Sequence, residues 1–68
     1  MKISGRNQLP GKVTSVETDN LIAKVTLEIC GGSYLTATIT KEAVDDLGLA
    51  VGDQVKAVIK ASSVMIMK

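Results

Sequence analysis

Apolar and polar residues alternate along most of this chain, and the period changes only once. Leu21, Ala23, Val25, Leu27 and Ile29 fall on one side of an alternating run, with Lys24, Thr26 and Glu28 on the other. Period-two alternation predicts a half-buried strand over 21–30. Gly31-Gly32 then supplies a two-residue hairpin turn of the primed type. The return strand is 34–39, with Leu35, Ala37 and Ile39 inward and Tyr34, Thr36 and Thr38 outward. Upstream, Pro10-Gly11 reads as a turn. It separates an N-terminal segment, 2–9, from a short strand over 12–17, and Thr18-Asp19-Asn20 is a polar turn.

After residue 39 the spacing becomes helical. Thr40 has the hydroxyl of an N-cap, Glu42 suits the positive end of a helix dipole, and Ala43, Val44 and Leu47 share one face. Gly48 ends the helix and Leu49 covers its last turn. Gly52-Asp53 opens another turn. Residues 54–60 return to alternation, with Val55, Ala57 and Ile59 opposite Lys56, Val58 and Lys60. Ala61-Ser62-Ser63 interrupts that strand, and 64–67 resumes as a short terminal one. Five short strands with a helix between the third and fourth predict an all-β fold with one short helix. The expected architecture is an OB-like five-stranded antiparallel Greek-key barrel forming one domain over 1–68.

Composition then changes the picture. The chain has 68 residues, one Cys and no His, so it has no internal disulfide and no zinc site of ordinary ligands. A domain this small buries only about 60% of its unfolded surface, yet 46% of it is apolar. Self-association is the expected support, so the barrel is expected to be oligomeric. Outward Val58, Met65 and Met67 are the positions expected to meet other copies. Packing is the expected use of the two Met residues, although their alternation also suits a soft metal. Cys30 is read as a small hydrophobe and Asp45-Asp46 as solvated helix charges.

Net charge is +1 and Tyr34 is the single aromatic residue. Neither suits a protein that grips a nucleic acid, a partner not expected here. No apolar run reaches membrane-spanning length and no signal peptide is visible. A cytoplasmic chain is expected, with no membrane partner. With no His and no evident general base, Ser-His-Asp and Cys-His catalysis are excluded within one chain, and an enzyme is not expected.

Three donor-rich groups remain: Ser4-Gly5-Arg6-Asn7-Gln8, Thr40 at the helix start, and Lys60-Ala61-Ser62-Ser63. Cations, hydroxyls and amides together can hold an oxyanion. Each group also has an ordinary structural use, as surface charge, turn or cap.

The run Ser4-Gly5-Arg6-Asn7-Gln8-Leu9-Pro10-Gly11-Lys12-Val13, with Glu28-Ile29-Cys30-Gly31-Gly32, Ile39-Thr40 and Val58-Ile59-Lys60-Ala61-Ser62-Ser63-Val64-Met65-Ile66, resembles the Mop family of small molybdate-binding proteins, the molbindins. The resemblance covers essentially the whole chain. It implies an OB-like barrel assembled as a homo-hexamer, a trimer of dimers, that binds molybdate and tungstate between subunits without any cofactor or direct protein ligand to the metal. By that resemblance Ser4, Gly5 and Arg6 of one chain contact the oxyanion, and Thr40, Lys60, Ala61 and Ser62 come from a neighbour. Asn7 and Ser63 are weaker contacts or loop supports. The expected role is molybdenum storage and homeostasis. Two departures bear on affinity: Gly5 stands where the family commonly has Ala, and Ala43 where some relatives carry Ser. An OB-like nucleic-acid module and a sensor acting through a protein partner are the alternative readings.

Overall fold

The computed structural model describes residues 5–68. Four strands, β1 (Asn7–Thr18), β2 (Ile22–Ile29), β3 (Ser33–Thr40) and β4 (Gln54–Ile59), form one antiparallel sheet in the order β3-β2-β1-β4. The helix α1 (Lys41–Leu47) lies between β3 and β4 in sequence, and a 3₁₀ turn, Ala61–Ser63, follows β4.

β1 organises the sheet. Its first half pairs with β4, from Asn7↔Ile59 to Lys12↔Gln54, and its second half pairs with β2, from Gly11↔Ile29 to Thr18↔Ala23. The strand therefore runs straight through Pro10-Gly11, where the sequence pattern predicts a turn. Pro10 lies before the β2 pairing begins, so only β4 flanks it. Gly11 is needed for space. A Cβ there would stand 3.1 Å from the Glu28 carbonyl oxygen and 3.2 Å from Ile29 Cγ2. A register shift between Val13 and Ser15 marks a bulge at Thr14, the kind of irregularity that bends a strand. The Thr14 hydroxyl donates to the Thr26 carbonyl, 3.2 Å away.

The buried core is wholly aliphatic: Val13, Ala23, Val25, Leu27 and Val44, flanked by Val16, Leu35, Ile39, Leu49, Val55 and Ala57. The alternation of β2 thus does place Ala23, Val25 and Leu27 inside. The hairpin turn differs from expectation by one residue. Ile29 pairs with Ser33, so the loop is Cys30-Gly31-Gly32, and both glycines have positive φ, 89° and 77°. Cys30 is consequently exposed in a turn rather than packed as a small hydrophobe.

Around α1 the local chemistry behaves as read. Thr40 Oγ1 accepts from the Ala43 amide at 3.0 Å. Gly48 is left-handed at φ 62°, and the Leu49 amide reaches back to the Val44 carbonyl, closing the helix by the Schellman pattern. Val44 alone of the helix is buried; Leu47 is exposed. The fifth strand is not formed. Residues 64–68 pair with no strand of the chain, and Met65, Ile66 and Met67 are almost fully exposed.

Asp19 closes the β1–β2 turn. Its Oδ1 accepts from the Ile22 amide at 2.8 Å and the Leu21 amide at 2.9 Å. These two bonds hold its carboxyl below the ordinary value, Ile22 contributing most. A carboxyl whose folded pKa is depressed adds stability that is present above its unfolded pKa and lost as pH falls through the folded one. Asp19→Ala should therefore lower the thermal midpoint at neutral pH, and the gap from wild type should close in strong acid. A gap independent of pH would contradict this role for the carboxylate.

Candidate functional site

The β1–β4 ladder determines where the donor-rich groups meet. Asn7 is the first residue of β1 and stands opposite Ile59, the last of β4. Its side-chain Nδ2 donates to the Ile59 carbonyl at 3.3 Å. Carried one residue further, the register sets Arg6 across from Lys60 and Gly5 near Ala61. Directly opposite positions in an antiparallel pair hold their Cβ atoms about 4.5–5.5 Å apart. Groups 52 residues apart in sequence are thus brought to one corner. Asn7 occupies the bracing position anticipated for it, half-buried between the strand ends.

The 3₁₀ turn shapes the other wall of this corner. The Ser63 amide donates to the Lys60 carbonyl at 2.9 Å and the Val64 amide to the Ala61 carbonyl at 3.2 Å. The Ala61 and Ser62 amides are the first of the turn, where no acceptor exists within it. Arg6, Lys60, Ala61, Ser62 and Ser63 are all exposed, and Gly5 is half-buried. Among the described residues, no ion pair engages Arg6 or Lys60. Ser4 lies outside the described residues.

Two further residues share this face. Lys56 and Val58 alternate with Lys60 on the outward side of β4, opposite Pro10 and Gln8. Lys56 and Gln8 therefore stand beside Arg6 and Lys60 as a third cation and an additional amide. The sequence reading left both out of the site. The signal for them was the β4 alternation, which becomes informative once the partner strand and its register are known.

Thr40 is not joined to this group. It ends β3 in register with Ile22, at the far end of the other ladder. Its hydroxyl oxygen accepts from Ala43, which leaves its proton available for donation. The shallow surface around it is lined by Lys41, Glu42 and Asp45. A dianion there meets more negative charge than positive unless another chain supplies cations.

The principal concavity is elsewhere. An apolar groove of about 730 Å³ opens between β3 and β4, lined mainly by Leu35, Ala37, Ile39, Val55, Ala57 and Ile59. Its walls offer an oxyanion little beyond Lys56, with Asp53 opposing it. The polar corner at Arg6 and Lys60 is the better match for an anion. Tyr34 is committed to a cross-strand contact, its hydroxyl donating to Glu28 Oε2 at 3.1 Å. That hydrogen bond, and then the carboxylate's charge, push the phenol above its ordinary value. No helix among the described residues is long and apolar enough to cross a membrane.

Comparison with known proteins agrees with this architecture. The family model of the TOBE domain matches residues 3–66. A "probable molybdenum-pterin-binding protein" of Haemophilus influenzae is 50% identical over 66 residues, covering 97% of this chain and 96% of its own. The solved structure of a molybdate-binding protein from Sporomusa ovata superposes with a TM-score of 0.94 at 40% identity, over 100% of both chains. The cytoplasmic molybdate-binding protein ModG, solved with molybdate bound, matches at 48% identity and a TM-score of 0.85, over 90% of this chain and 43% of its own. The fold is the OB-like one of these neighbours, mostly β with one short helix.

Proposed function

This chain belongs to the TOBE-domain family, and we propose that it is a cytoplasmic molybdate-binding protein that stores and buffers the oxyanion without transforming it. The observation that carries the reading is the corner where the β1–β4 register sets Arg6 across from Lys60, beside the turn Ala61–Ser63. The whole chain, 1–68, acts as one binding domain.

Molybdate is a tetrahedral dianion. Arg6 supplies a guanidinium fork and Lys60 an ammonium, which together match its charge. Ser4, Ser62 and Ser63 supply hydroxyls, and Gly5, Ala61 and Ser62 supply amides, for the remaining oxygen lone pairs. The chain assembles as a homo-hexamer, a trimer of dimers. Because Arg6 and Lys60 lie together, a twofold contact at this corner brings Arg6 of each chain toward Lys60 of the other. Thr40, remote from them within one chain, joins from a neighbour and meets there the cations its own surroundings lack. Asn7 keeps the corner in shape.

Tungstate has the same charge and shape and binds in the same way. Sulfate carries equal charge on a smaller tetrahedron, so discrimination rests on the dimensions of a rigid cavity between chains. Calorimetric titration tests this directly: molybdate and tungstate give saturable heat, and sulfate gives little at equal concentration. Equal affinity for sulfate, or no heat with molybdate, contradicts the reading.

A further inference from the structure

We propose that the apolar groove between β3 and β4 receives the C-terminal segment 64–68 of a second copy of the chain, which adds there as a fifth strand. Strands β3 and β4 are the two edges of the sheet, each paired on one side only. An unpaired edge offers a row of backbone donors and acceptors to any extended segment. Between these edges the chain leaves an open apolar groove of about 730 Å³.

The same chain carries a segment of matching chemistry with nothing to cover it. Val64 leaves the 3₁₀ turn in extended conformation, φ −95° and ψ 128°. Met65, Ile66 and Met67 follow at 92%, 89% and 96% exposure. Four consecutive apolar residues suit a strand buried on both faces, and not a solvated tail. The turn directs the segment away from the groove of its own chain, which stays open while the tail stays exposed.

Surface area argues for a second copy as the occupant. The chain exposes 5557 Å², roughly a third more than a compact monomer of its mass should. That excess is larger than the ~800 Å² per partner of an ordinary stable interface. Exchange of tails between copies covers the groove and the tail together. It also supplies the strand that the alternation pattern predicts and the single chain does not form.

This docking rests on the self-association proposed above, and sedimentation of three proteins separates the two. Wild type is expected to sediment as an oligomer. A chain ended after Ser63, and the double variant Met65→Asp/Met67→Asp, should fall in mass by roughly twofold or more with unchanged circular dichroism, since the tail is almost wholly exposed in its own chain. Oligomeric variants of wild-type mass would overturn the docking and leave the oxyanion reading intact. A monomeric wild type would overturn both. Slow amide exchange at 65–67 in dilute monomer would show the tail seated in its own groove, and would also overturn the docking.

Discussion

Arg6→Ala is expected to weaken molybdate binding by about a hundredfold, since hydrogen bonds to charged groups contribute about 1.5–3 kcal/mol each and the guanidinium fork makes two. Lys60→Ala should follow with a loss of similar direction and smaller size, because an ammonium contributes a point charge and no fork. Arg6→Lys should fall between wild type and Arg6→Ala. Lys56→Ala is the internal control: it removes a cation from the same face of β4 without touching the Arg6–Lys60 corner. All four positions are exposed and unpaired among the described residues, so the thermal midpoints should barely move. Titration calorimetry on the four variants decides the matter. If affinity follows only one of Arg6 and Lys60, or falls equally in Lys56→Ala, the two cations do not share one site.

The second large effect is expected at Gly11. Gly11→Val should destabilise the fold by about 2–3 kcal/mol through overpacking, lowering the thermal midpoint by roughly 10 °C or more in a domain of this size. Gly11 and Lys12 are the only residues of β1 paired to both β2 and β4. An added Cβ meets the Glu28 carbonyl at 3.1 Å and Ile29 Cγ2 at 3.2 Å, and neither neighbour is the far end of a flexible side chain. The backbone at Gly11 has an ordinary φ, so the penalty is steric crowding rather than dihedral strain. Gly11→Ala should show a smaller loss in the same direction. Because β1–β4 register also sets Arg6 across from Lys60, whatever folded fraction survives in Gly11→Val should bind molybdate less well. Equal thermal midpoints for wild type and Gly11→Val would contradict the crowding account.

These two sites also show which parts of the molecule were legible in the sequence. The β2–β3 hairpin, the Thr40 cap and the Gly48 stop depend on neighbours a few residues away, so pattern alone located them. Pro10-Gly11 carries the same local signature as a turn, but its role is decided by Ile29 and Val55, the register partners of Gly11 on either side. Composition could not register that, and the strand was cut in two. The terminal strand over 64–67 was read from its apolar run, and its partner is missing from the single chain for the same reason: pairing is a tertiary matter. Cys30 was assigned to a strand end when one extra loop residue moved it into solvent.

The candidate site divides in the same way. Residue chemistry alone pointed to an oxyanion, because Arg6, Lys60, hydroxyls and amides have that use in common. It did not join Arg6 to Lys60, which are 54 positions apart; the likeness to the molbindins linked them, and the β1–β4 register gives the link a structural basis. Lys56 and Gln8 were passed over because their relation to the corner lies in that register alone.

Two like charges set side by side repel, and the repulsion grows as the corner is shut away from water between chains. A bound dianion relieves it, so ligand and assembly should stabilise one another. Native mass spectrometry of the same protein with molybdate, with sulfate and with neither tests this most directly. The expected spectrum with molybdate is a multi-chain species, six chains in the proposed assembly, with bound molybdate retained and no comparable retention of sulfate. A monomer that carries no molybdate, or an assembly that retains sulfate equally, would contradict a molybdate site built between copies of this chain.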